Sequence, residues 1–133
     1  MGRNRKVEET AGLIKEKIMG IDFSHGRARW SYIGFHNFRS RIAESAGLDL
    51  EKLYNLNGPW DMIEEGLRPF LNHSDRDGDL TVEELKLIAP RLKEIVTSWS
   101  DDTLDEEFNK KEGLKLVEGM EAAIEANEPL EFC

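Results

Sequence analysis

The chain has 133 residues, the length of one domain with a single core. Its formal net charge is -9, unevenly spread: residues 1 to 43 carry nine Lys and Arg against four Asp and Glu, and residues 44 to 133 carry nine against twenty-three. So acidic a body repels phosphate, which sets nucleic acid aside as a partner, and no run of about 18 apolar residues offers a membrane span.

The first ten residues, MGRNRKVEET, carry charge without an apolar stretch behind them, so no signal peptide is expected. Lys6 stands where a myristoylation signal needs Ser or Thr. Residues 7 to 19 predict a first helix, marked by Leu13, Ile14 and Ile18. Residues 20 to 30 hold Gly20, Gly26 and several charges and read as a loop. Ser31 can cap a helix running to about Ala46, with Gly47 as its stop and Phe35, Phe38, Ile42 and Ala46 as its apolar stripe. Asp49 can cap a short turn through Tyr54, and Asn57-Gly58-Pro59 reads as a turn, with Pro59 suited to a first helical position.

Trp60, Ile63, Leu67, Phe70 and Leu71 share one face at helical spacing, with Pro69 opposite. Leu85, Ile88, Ala89, Leu92, Ile95, Val96 and Trp99 do the same, with Pro90 off the stripe. Because the phase is unbroken across each proline, both segments are expected as continuous kinked helices; two shorter helices meeting at each proline are the alternative. Behind Ser100-Asp101-Asp102, Leu104 and Phe108 set one phase and Leu116, Val117, Met120, Ala123 and Ile124 another. A bend or break is therefore expected near Lys110 to Gly113, with Asn127 and Pro129 ending the helix. The apolar tail from Leu130 to Cys133 is expected to dock on the body. Cys133, the single cysteine, forbids an internal disulfide and points to a reducing compartment, so a cytoplasmic protein is expected.

Between the two proline-bearing segments lies Ser74-Asp75-Arg76-Asp77-Gly78-Asp79-Leu80-Thr81-Val82-Glu83-Glu84. This window resembles the calcium loop of the EF-hand family, and the likeness covers roughly residues 60 to 99. That family takes ligands from loop positions 1, 3, 5, 7, 9 and 12 and turns sharply at a glycine in position 6. With Gly78 as that glycine, the resemblance implies metal ligands at Asp75, Asp77, Asp79 through its carbonyl, Thr81 and Glu84. Leu80 falls where the family carries an apolar residue. Two positions depart from the pattern: His73 replaces the usual Asp at position 1, and Asn72 replaces the apolar residue before it. Calcium prefers oxygen to imidazole nitrogen, so the implied site is weak, with a dissociation constant on the order of 10⁻⁴ to 10⁻³ M. The same residues admit a metal-free reading. Asp77-Gly78 is a common turn, and Thr81 with Glu84 makes a capping box that starts a helix unaided. No second such loop occurs; Asp101 to Glu112 is acidic but lacks the glycine.

No catalytic set suggests itself. His25, His36 and His73 have no metal-ligand spacing to another His or to Cys. His73-Ser74-Asp75 holds triad residue types, but neighbours in one loop rarely reach triad geometry. Arg27, Arg29, Arg39 and Arg41 interleave with Trp30, Tyr32, Phe35 and Phe38, a nucleic-acid pattern only where the aromatics are exposed; here they lie on a core stripe. Arg39 sits at the edge of that stripe and is expected to pack its stem inside and meet a carboxylate, with Arg41 solvated.

The expectation is one all-α domain over residues 1 to 133, a small helical body built around the helix-loop-helix at 60 to 99. Elsewhere the sequence is similar in style to small bacterial and phage proteins, which implies no activity. Two roles follow: a cytoplasmic binding module whose loop takes calcium weakly, or a metal-free interaction protein, of inhibitor or immunity type, whose acidic surface meets a basic protein partner. An enzyme is not expected, and oligomeric state is not legible.

Overall fold

The computed structural model describes residues 20–56, 58–74 and 78–133. The helix expected over residues 7 to 19 lies outside them. Gly20–Ile21 (β1) pairs antiparallel with Trp30–Ser31 (β2), so the expected loop is closed at its base by a short ladder. Ile21 and Trp30 both point into the core, and the ladder satisfies the backbone that their burial carries inward.

Helix α1, Tyr32–Ser45, starts where expected: Ser31 Oγ accepts from Gly34 N at 2.9 Å. It ends in a left-handed Gly47 at φ 78°, with Leu48 N donating to the Ala43 carbonyl and Gly47 N to that of Glu44. Only a residue that tolerates positive φ closes a helix this way. Phe35, Phe38 and Ile42 are fully buried, while Ala46 is half-buried. Helix α2, Leu50–Asn55, is capped by Asp49 accepting from Lys52 N.

The continuous helix expected from Trp60 to Leu71 does not form. Trp60–Met62 is one 3-10 turn, and Ile63 is extended at φ -90° and ψ 139°. Helix α3 is only Arg68–Leu71, with Pro69 in its first turn, where a missing N–H costs nothing. Pro59 precedes the 3-10 turn instead of opening a helix. The apolar face survives the loss of helix: Ile63, Leu67, Phe70 and Leu71 are all buried. Gly66 lets this irregular segment lie against the next helix, where an added Cβ would meet the Leu87 carbonyl at 3.1 Å. Glu64 fastens it there, accepting from Arg91 Nε at 2.7 Å and holding the pKa of that guanidinium above its ordinary value.

Asp79–Leu80 (β3) leads into helix α4, Val82–Thr97, which runs unbroken through Pro90 as expected. Its stripe from Leu85 to Val96 is buried and Pro90 is exposed, so the hydrogen bond lost at proline faces water. Helix α5, Leu104–Ala126, is also unbroken, so no break falls near Lys110 to Gly113. The two apolar phases belong to one continuous helix: its far end is buried from Gly113 to Ala123, and its first turns run past the core, leaving Leu104 and Phe108 exposed. Asn127 ends it in the left-handed conformation at φ 57°.

Leu130–Glu131 (β4) pairs antiparallel with β3, Asp79 opposite Glu131 and Leu80 opposite Leu130. The tail thus docks as expected. Phe132 follows it into the core and meets Phe23 at 5.0 Å between ring centres and Phe35 at 6.0 Å. The fold is mainly helical, with α4 packed along α5 and α1 across them, but the two short antiparallel pairs make it other than purely all-α. Among the described residues no helix is long and apolar enough to cross a membrane.

Candidate functional site

The turn between α3 and α4 brings its predicted residues into partial view. Asp75 and Asp77 lie outside the described residues. Gly78 adopts φ 91°, and a Cβ there would sit 3.2 Å from His73 Cε1, so both backbone and space call for glycine. Leu80 is buried and anchors the turn to the core.

His73 fills the centre of this turn. Its Nε2 lies 2.9 Å from the Asp79 carbonyl and its Nδ1 2.7 Å from the Ser74 carbonyl. Phe132 covers the ring, 4.0 Å away between centres, while Phe132 N donates to the Gly78 carbonyl. The Asp79 carbonyl is the oxygen that the calcium reading assigns to position 7. The His73 ring stands against it.

Thr81 and Glu84 form the capping box. Glu84 N donates to Thr81 Oγ1 at 3.1 Å, and Thr81 N donates to Glu84 Oε1 at 2.9 Å. Calcium would thus have to take the Asp79 carbonyl from His73 and draw Glu84 from its cap. Among the described residues no group of three or more His, Cys, Asp or Glu is arranged to hold a metal.

Arg39 is buried beneath this turn. Its Nη1 donates to the carbonyls of Phe70 at 3.1 Å and His73 at 2.6 Å, and its guanidinium lies 4.8 Å from the Phe35 ring centre. Backbone carbonyls, not named by sequence reasoning, are therefore among its partners. Arg41, expected in water, instead lays its guanidinium 4.0 Å over the Trp99 ring.

A second constellation was not legible in the sequence. Ser24 Oγ lies 2.8 Å from His25 Nδ1, and His25 Nε2 lies 2.8 Å from Glu128 Oε1. Glu131 N donates to the same Ser24 Oγ at 2.9 Å. The loop that carries it is held on α5 by Glu112, whose Oε1 accepts from Arg29 N at 3.0 Å and whose Oε2 lies 2.9 Å from Lys115 Nζ. Glu128 comes from just past the far end of α5, 103 residues along the chain from His25, and Ser-His alone is too common a pair to signal it.

The acidic half gathers at the start of α5. Asp101, Asp102, Asp105 and Glu107 are exposed around Leu104 and Phe108, which are 83% and 49% exposed and one turn apart. Lys110 Nζ donates to the Trp99 carbonyl at 2.9 Å and closes the turn behind them. A shallow hollow of about 220 Å³ lies beside this helix end, lined by Asp101, Glu107, Lys110, Lys111 and Leu114. No protein-family model matches the chain, nor does any curated protein or solved structure.

Proposed function

We propose that the protein is a small helical binding module whose docking surface is the acid-rimmed apolar end of α5. The exposure of Leu104 and Phe108 carries the reading. Two large apolar side chains on one helix turn are costly in water unless a partner covers them, and a partner contact needs such anchors more than it needs charge. The surrounding Asp101, Asp102, Asp105 and Glu107 favour a partner with a basic surface, which they would attract over roughly the 8 Å screening length of physiological salt. Charge speeds encounter and apolar contact holds the complex.

The test separates the two contributions. Asp101, Asp102, Asp105 and Glu107 are changed to Asn or Gln in one variant, and Leu104 and Phe108 to Ala in another. Glu106 stays, because it closes the capping box with Thr103 at the start of α5. Against a basic amphipathic helical peptide in solution, the first variant should lose association rate and salt dependence, and the second should dissociate faster. Binding that neither variant changes would remove the reading.

The turn at 73–84 supports a second reading, a weak EF-hand-like calcium site. Its observation is the Asp79 carbonyl beside Gly78, faced at 2.9 Å by the His73 ring. Asp75, Asp77, that carbonyl, Thr81 and Glu84 would be its ligands once His73 swings away. This reading keeps the binding module and adds an ion to it.

A further inference from the structure

We propose that Ser24 is a nucleophile activated by His25 and Glu128, and that it accepts an acyl group from small activated carboxylic esters. With the imidazole neutral, the carboxylate sets the tautomer: an ionised carboxylate only accepts, so His25 carries its ring proton on Nε2 and donates it to Glu128 Oε1. Ser24 Oγ accepts from Glu131 N, and its hydroxyl hydrogen can turn to His25 Nδ1. Nδ1 is then the free base facing the hydroxyl, and a negative charge stands behind the ring to stabilise the cation that proton transfer creates. Nucleophile, base and orienting carboxylate at 2.8 Å each are the elements of an activated serine. The ring is turned relative to the serine-protease arrangement, with Nδ1 on the serine, which changes neither the proton balance nor the role of the carboxylate.

The constellation is held rigidly and lies open. Ser24 N donates to the Glu131 carbonyl at 2.9 Å, and Cys133 N to that of Asp22 at 2.9 Å. Behind His25 the chain rests on α5, where a Cβ on Gly26 would come 2.7 Å from Gly119 Cα. The serine is exposed, while the imidazole keeps 19% of its side-chain surface, so an ester reaches Oγ without any opening of the fold. An open surface supplies little transition-state binding, so the ester must bring a leaving group that departs readily as an anion, such as a phenolate.

In the first step Ser24 Oγ bonds to the ester carbonyl carbon as its proton passes to His25 Nδ1. The carbon–oxygen bond to the leaving group breaks, phenolate departs with the electron pair, and Nδ1 releases its proton to solvent, where the phenolate takes it up and the base is free again. In the second, water bonds to the acyl carbon and gives a proton to Nδ1, and the acyl–Oγ bond breaks. Oγ takes a proton back, leaving a carboxylic acid and the original serine. Ester plus water gives acid plus phenol, and no other co-reactant is required.

The experiment uses the full chain with p-nitrophenyl acetate, following nitrophenolate release and mapping acetyl groups by peptide mass spectrometry. Acetyl should appear on Ser24 in preference to the other serines, and Ser24→Ala should remove it. His25→Gln should slow acylation by about 10²-fold, the usual contribution of a positioned base. Glu128→Gln keeps an acceptor for Nε2–H but removes the charge, and should slow acylation by about fivefold, the effect of one unit charge across a solvated contact. A purely structural role for Glu128 would leave that rate unmoved in a variant that still folds. The wild-type rate should fall in D2O, as it does when a proton is in flight. Melting temperature and the Phe132 amide shift report the fold of each variant. Ser24 unlabelled while surface lysines are acetylated overturns the proposal. So does labelling at the wild-type rate in folded His25→Gln.

Discussion

Arg39 and Arg41 differ by two positions and carry the same charge, yet the structure gives them different work. Arg39 is 2% exposed and donates to two backbone carbonyls, that of Phe70 in a buried bond and that of His73 in a part-buried one. Arg39→Ala takes the donor from both carbonyls and opens a hole beside Phe35; each buried polar group left wanting costs about 1 to 3 kcal/mol. Arg41 lies flat on Trp99 at the surface, a contact worth about 0.5 to 1 kcal/mol. Arg39→Ala should therefore lower the midpoint of chemical denaturation clearly more than Arg41→Ala, and equal midpoints would show that the Phe70 and His73 carbonyls are satisfied without the guanidinium. Arg39 also links the end of α3 to the turn at His73, so its loss should be felt at the Gly78 amide, which a two-dimensional NMR spectrum reads directly.

At the scale of elements, apolar spacing located what is buried more faithfully than it located helices. The stripe of α4 forecast both its burial and its continuity, because Pro90 faces solvent and a helix tolerates one lost hydrogen bond there. The same spacing from Trp60 to Leu71 forecast burial alone. Ile63, Leu67, Phe70 and Leu71 reach the core from turns and one short helix, since Gly66 and Pro69 both weaken a longer one. In α5 the change of phase marks no break; it marks where the helix outruns the core. Caps at Ser31, Asp49, Thr81 and Asn127 were legible because they depend on a few neighbouring residues. The short strands and the Ser24–His25–Glu128 cluster were not, because they join residues far apart in the chain. Close approach is the other property hidden from periodicity. Gly113 gives way to Phe38, and Gly119 to the backbone of His25; a Cβ at Gly113 would sit 2.8 Å from Phe38 Cε1. Replacing glycine by alanine in a helix gains up to about 1 kcal/mol of propensity, whereas overpacking costs about 1 to 3 kcal/mol. At Gly119 the obstacle is backbone, which cannot rotate aside as a ring can. Both Gly113→Ala and Gly119→Ala should melt below the wild type, Gly119→Ala by the larger margin; a rise in melting temperature would mean, for Gly113, that α5 does not press on Phe38 and, for Gly119, that it does not meet the loop at His25.

For the molecule as a whole, the four-residue tail closes what the helices leave open. It pairs with β3, covers Phe23 and stacks Phe132 on His73, so the turn at 73–84 and the far end of the chain form one unit. This unit shapes the behaviour expected of calcium. An ion entering the turn must displace His73 from the Asp79 carbonyl, and the ring that leaves is the one Phe132 rests on. Binding therefore works against an existing hydrogen bond and an aromatic contact, which places it at the weak end of the EF-hand range, at about 10⁻⁴ to 10⁻³ M. Two substitutions separate the ion from the cap. Glu84→Gln retains the capping box, since glutamine serves there as well as glutamate, but removes the bidentate carboxylate; it should abolish binding while leaving α4 intact. His73→Asp releases the Asp79 carbonyl and adds the missing carboxylate at position 1, so it should tighten binding while loosening the tail. Calcium titration followed at the Gly78 amide measures the affinity, and hydrogen exchange at the Phe132 amide measures the tail. In the wild type, calcium that shifts Gly78 should also speed exchange at Phe132, because the same histidine holds both. A Gly78 shift that Glu84→Gln leaves unchanged would show that the ion is not held in this turn, and no shift up to about ten times the upper limit of the range would show that His73 keeps the carbonyl for itself.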